Sequence, residues 1–110
     1  MSQISFEHEN KQYILEYTLK TAAMAERDGL ELGLLSDKPA VMIPLLFHWS
    51  FYRHHKGITK DMTSKIFKEI RDKKGLINAL SDMYADAVNA LIDVDDDDEG
   101  DAGNANWTLT

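Results

Sequence analysis

PLLFHWSFYRHHK, residues Pro44–Lys56, decides the fold. Placed on a helix, Leu45, Leu46, Phe47, Trp49, Phe51 and Tyr52 wrap almost the whole circumference. A helix apolar all round, in so short a chain, is either buried centrally or faces a partner. Pro44 lacks an N–H and suits a first helical turn, which predicts a helix over Pro44–Lys56, ended by Gly57.

The flanking segments supply what packs around it. Upstream, Ile4, Phe6 and His8 alternate with Ser5 and Glu7, and Tyr13, Leu15 and Tyr17 alternate with Ile14 and Glu16. Glu9-Asn10-Lys11 lies between them, and Asn10 tolerates the left-handed conformation of a tight turn. A β-hairpin over Ile4–Tyr17 follows, and a lone hairpin needs helices to pack on. Thr18 caps a predicted helix through Asp28, stopped by Gly29. Glu31–Lys38 reads as a connector with a short helical turn near Leu34-Leu35.

Downstream, Thr59 caps a predicted helix from Lys60 to about Lys74, with Gly75 as its stop and Lys73 and Lys74 at its negative end. The last predicted helix runs from Leu76 to about Ile92. Its stripe of Leu76, Ile77, Leu80, Met83, Tyr84, Ala87, Val88, Leu91 and Ile92 is the cleanest amphipathic signal in the chain. The fold class is mainly α (α+β): an N-terminal hairpin on a bundle of about four helices, one domain over residues 1–92. Residues 93–110, acids followed by Gly, Ala and Asn, read as a disordered acidic tail in which Trp107 and Leu109 stand out.

Charge follows the same division. The 110 residues hold 19 acids and 12 bases, a net charge of −7. Seven acids follow Ile92 and no base follows Lys74, so residues 1–92 carry 12 acids against 12 bases. The acidic balance therefore describes the tail, and an anionic partner for the body stays open. A tail contact with the body's basic flank, within or between chains, is one consequence to expect.

There is no cysteine, which removes disulfides, thiolate nucleophiles and cysteine-ligated zinc. The longest apolar run, Ala40–Phe47, is far shorter than the ~20 residues that span a bilayer. No basic-then-apolar leader opens the chain, so an intracellular protein without a membrane partner is expected.

His48 and His55 stand two helical turns apart, about 10 Å of rise, too far to share an ion. No H-E-x-x-H pattern occurs, and these histidines, with His54, are expected at the helix surface or its end. Asp95, Asp97, Glu99 and Gly100 fit the start of a calcium loop, but Asn106 falls where a bidentate Glu is required. No nucleophile elbow or phosphate-binding glycine loop is present, and Asp82 and Asp86 fall opposite the apolar stripe. No catalytic residue, cofactor or metal ligand is expected from these patterns, and an enzyme subunit or metal protein is a third reading.

Between Arg53 and Lys74 lie eight bases and three acids. A helix pair joined near Gly57 superficially suggests helix-turn-helix, and a small nucleic-acid-binding or regulatory protein is the alternative function. The interleaved acids and scarce arginine argue against it. The aromatic run and the methionines instead fit an adaptable apolar groove for another protein's helix. Phe47, Phe51, Tyr52, Met83 and Tyr84 are the candidate partner-binding residues, with core packing as the competing role.

The ordered set of elements carries a resemblance. Tyr13-Ile14-Leu15 stands in the second strand, and Glu26-Arg27-Asp28-Gly29 ends a helix. Leu46-Phe47 follows with Phe51 and His54-His55; then come Leu76-Ile77, Leu80, Met83-Tyr84 and, in the acidic tail, Trp107. This order, over nearly the whole chain, resembles the tail assembly chaperones of long-tailed bacteriophages and prophages of Gram-positive bacteria. These are the small proteins encoded just before the tape measure protein. The resemblance implies a non-enzymatic, cytoplasmic assembly factor in the host, absent from the mature virion. It would coat the tape measure protein, keep it soluble, help recruit tail tube protein and self-associate as a homo-oligomer. It also implies two product lengths through ribosomal frameshifting, with Asp93–Thr110 as the linker region.

Overall fold

In a computed structural model, residues 3–91 are described. The expected helix end at Ile92 and the expected tail over 93–110, with its calcium-loop pattern and Trp107, lie outside the described residues.

Strands β1 (Ile4–His8) and β2 (Lys11–Leu15) form an antiparallel hairpin in which Ile4 faces Leu15, Phe6 faces Tyr13 and His8 faces Lys11. The register leaves a two-residue loop, Glu9-Asn10, with φ of 52° and 67°. Positive φ at both positions matches the loop to the strands' right-handed twist. Asn adopts it readily, whereas Glu9 holds a conformation costly for its Cβ. Tyr13 and Leu15 are buried and Ile14 is half-buried, so the hairpin lays one face on the helices.

Thr18 caps α1 (Leu19–Arg27) in a capping box: its hydroxyl accepts from the Thr21 N–H, and Thr21 Oγ1 accepts from the Thr18 N–H. Gly29, at φ 113°, turns the chain out of the helix. A short 3-10 turn, Leu32–Leu34, bridges to α2 (Pro39–Trp49).

The start of α2 corrects the expected Pro44–Lys56 helix. Pro39, not Pro44, occupies the first turn, where its missing N–H loses nothing. Pro44 lies inside the helix and leaves the Ala40 carbonyl without its helical donor. Residues 40 and 44 are both exposed, so water can take that donor's place. The helix also ends early, and Ser50–His54 continue as tight turns held by bonds such as Phe51 N–H to His48 O, 3.1 Å.

Helix α3 (Lys60–Lys68) is capped by the Thr59 hydroxyl, and α4 (Lys73–Asn89) by the Asp72 carboxylate, which accepts the Gly75 N–H at 3.0 Å. The boundary expected at Gly75 therefore moves. Lys73 and Lys74 open α4 instead of closing α3, and Gly75 is an interior residue of the first turn. A Cβ on Gly75 would run into the Asp72 carboxylate, so the glycine makes room for the cap. Lys73 still serves α3: its ammonium donates to the carbonyls of Ile70 (2.7 Å) and Lys68 (3.2 Å).

The all-round apolar character of α2 is explained by its position. It packs against α1, α3, α4 and the 3-10 turn, with Leu46 and Phe47 fully buried. Fold class and element count agree with the sequence reading: a hairpin followed by four helices among the described residues. None of these helices is long and apolar enough to cross a membrane.

Candidate partner-binding surface

The five candidate partner residues separate by depth. Phe51 is the hub of an aromatic cluster, with ring centroids 4.9 Å from Phe47, 5.6 Å from Tyr13 and 6.3 Å from Phe6, all edge to face. Phe47 adds Phe67 at 5.1 Å. Both residues are fully buried and fix the hairpin onto α2 and α3. Met83 and Tyr84 are also buried, on α4. The Tyr84 ring meets Tyr17 edge-on at 5.3 Å, and its hydroxyl donates to Glu26. Burial, then the bond to Glu26, raises the Tyr84 phenol above its ordinary pKa. Tyr17 is raised by burial too, and its hydroxyl donates to the Leu46 carbonyl at 2.6 Å. Of the five, only Tyr52 is half-buried, beside Trp49 at 5.6 Å.

Histidines lock the hairpin to the helices. The Ile14 N–H donates to His55 Nε2 at 3.0 Å, and His54 Nε2 lies 2.8 Å from Glu16. His48 corrects the expectation of a surface histidine: it is buried, with Nδ1 3.1 Å from Thr63 Oγ1. Burial lowers the pKa of both His48 and His55. The bond from His54, then that from Gln3, lowers the pKa of Glu16. Asp28 is lowered by Lys60, 2.6 Å away, and by the Trp49 indole N–H at 2.9 Å.

Two clefts flank the buried aromatics. One, between α2 and α3, is a cavity of about 90 Å³ lined by Pro44, Leu45, Phe47, His48 and Phe67, with Lys60 also at its wall. The other, about 420 Å³, lies between the start of α1 and the end of α4. Tyr17, Leu19, Met83, Ala87 and Ala90 line it, with Thr18 and Asp86. Leu19 is 40% exposed, and Leu91, next along the chain from Ala90, is 66% exposed. Ala87 and Ala90 leave little side chain between this groove and the α4 backbone. Leu19 opens α1. Its position as the first helical residue, ahead of the alanines that pack, was the available signal for surface.

The bases of 53–74 are not all free to meet phosphate. Lys60 is paired with Asp28, and Lys73 holds the carbonyls of Lys68, the last residue of α3, and Ile70. The connection from α2 to α3 covers residues 50–59, much longer than the short turn of a helix-turn-helix.

These features define a small hairpin-plus-helix domain whose surface offers an apolar interhelical groove. The chain belongs to a family described as a domain of unknown function (DUF5055), which matches residues 1–110. No curated protein and no solved structure matches the chain.

Proposed function

We propose that this protein is a phage tail assembly chaperone. It binds the tape measure protein, keeps it soluble and helps recruit tail tube subunits, working in the host cytoplasm and leaving before the virion is complete. The observation that carries the reading is the groove between α1 and α4. It combines apolar walls, a partly exposed Leu19 and the small Ala87 and Ala90, so a guest helix can approach the α4 backbone closely. A tape measure segment offers amphipathic helices of the matching kind. Met83 meets the guest at the groove floor, while Phe47, Phe51 and Tyr84 hold the walls in place from the core.

The test is co-expression with the long helical protein encoded downstream, reading that protein's soluble fraction with and without this chain. Co-purification and chain-dependent solubility support the reading. Unchanged solubility with no complex removes it, and the exposed bases of 53–74 then become the surface to titrate with nucleic acid, where steep salt dependence is the signature.

A further inference from the structure

Three of the four histidines have engagements within the fold: His48 with Thr63, His54 with Glu16, and His55 with the Ile14 N–H. His8 differs, because two carboxylates stand beside it. Its Nε2 lies 2.8 Å from Glu69 Oε1, and one donor atom each from His8, Glu9 and Glu69 lies within 4.8 Å of the other two. Among the described residues this is the sole group of three such side chains. His8 and Glu69 are 61 residues apart, so sequence spacing gives no sign of it.

From the juxtaposition of the hairpin turn with the end of α3, we propose that His8, Glu9 and Glu69 bind a divalent transition-metal ion of the zinc class. Zinc bonds of about 2.1 Å put tetrahedral ligands about 3.4 Å apart. Glu9 and Glu69 are exposed, with 63% of the Glu69 side chain accessible, so rotation about their side-chain bonds can close the remaining gap. The imidazole nitrogen selects zinc, nickel or copper over magnesium and calcium, which take oxygen ligands. Two carboxylates balance the ion's charge. Glu69 is also the C-cap of α3, which sets the ion at the negative end of that helix. Three protein ligands leave a further position for water. Lys65 and Lys68 line the same cleft and weaken the attraction, so binding is weaker than at a closed structural site. The bound ion ties the hairpin turn to α3.

The experiment is calorimetric titration of the full chain with Zn²⁺, and separately with Mg²⁺, alongside NMR of the histidine rings. One equivalent of Zn²⁺ per chain is expected in the micromolar range, with the His8 ring resonances shifting and those of His48 unmoved. Glu9→Gln and Glu69→Gln, both at exposed positions, each weaken that binding by about tenfold or more. Lys68→Gln tightens it, and Mg²⁺ does not compete. Zn²⁺ uptake that leaves the His8 resonances in place, or that both Gln variants retain in full, comes from the acidic stretch 93–101 and overturns the proposal. So does the lack of any binding below millimolar Zn²⁺.

Discussion

Glu16 and His54 face each other at 2.8 Å, joining the end of the hairpin to the turn after α2. Gln3 donates to the same carboxylate oxygen at 3.0 Å, and the Glu16 N–H bonds the Ser50 carbonyl at 2.9 Å. The seam ties stability to pH. Glu16 and Asp28 titrate below their ordinary values of 4.5 and 3.8, and His48 and His55 below 6.5. In each case the unfolded chain takes up protons at a higher pH than the folded one, so acidification favours unfolding. His48 faces Lys60 and Asp28, and His55 faces Lys11 and His54. Thermal melts should lose midpoint in two stages. The first, from the histidines, sets in as pH falls below about 6.5; the second, from the carboxylates, below about 4.5. Glu16→Gln should shrink the second stage and leave the first. A midpoint unchanged between about pH 7 and about pH 5 would refute the histidine contribution.

His55 accepts the Ile14 N–H through Nε2, which requires the neutral ring with its proton on Nδ1. His55→Leu keeps much of the volume beneath Tyr13 and Phe51 but leaves that N–H without its acceptor. A loss of about 1–3 kcal/mol is expected in urea unfolding. Nitrogen NMR of the wild type should report Nδ1–H. Finding the proton on Nε2 would remove the bond.

Tyr84 and Leu19 separate packing from docking. Tyr84→Ala removes a ring packed on Tyr17 and should cost about 3–5 kcal/mol, whereas Tyr84→Phe keeps the ring and should cost about 1 kcal/mol. Leu19 is 40% exposed, so Leu19→Glu should change stability by no more than about 0.5 kcal/mol. If the α1–α4 groove holds the tape measure helix, Leu19→Glu abolishes its solubilisation while the melting midpoint stays put. Equal solubilisation by wild type and Leu19→Glu would place the guest elsewhere.

The sequence made the hairpin, the Thr18 and Thr59 caps and the central role of Leu46 and Phe47 legible, because each depends on near neighbours or on the size of an apolar surface. It misled where two local signals competed. Pro39 and Pro44 both suit a first turn, and only the exposed position of the latter explains its tolerance inside α2. Gly75 reads as a stop, yet it sits where the Asp72 carboxylate needs space. The histidine latches and the His8–Glu69 contact were invisible, since each joins residues from 15 to 61 positions apart. Of the five candidate partner residues, Phe47, Phe51, Met83 and Tyr84 are buried, with Met83 also lining the α1–α4 groove, and apolar character in the sequence serves core and groove alike. Burial is a property of the assembled helices.

Asp72 and Gly75 should behave as one unit. Asp72→Ala in the wild type removes the N-cap of α4 and should cost about 1 kcal/mol. Gly75→Ala gains helix propensity of about 1 kcal/mol, but its Cβ displaces the Asp72 carboxylate and forfeits the cap, so the net change should be close to zero. In the Gly75→Ala background, Asp72→Ala should then cost almost nothing, because the cap is already gone. A double-mutant cycle in urea measures the coupling directly. Additive effects would mean that the carboxylate caps α4 from another rotamer, and that Gly75 is not there to admit it.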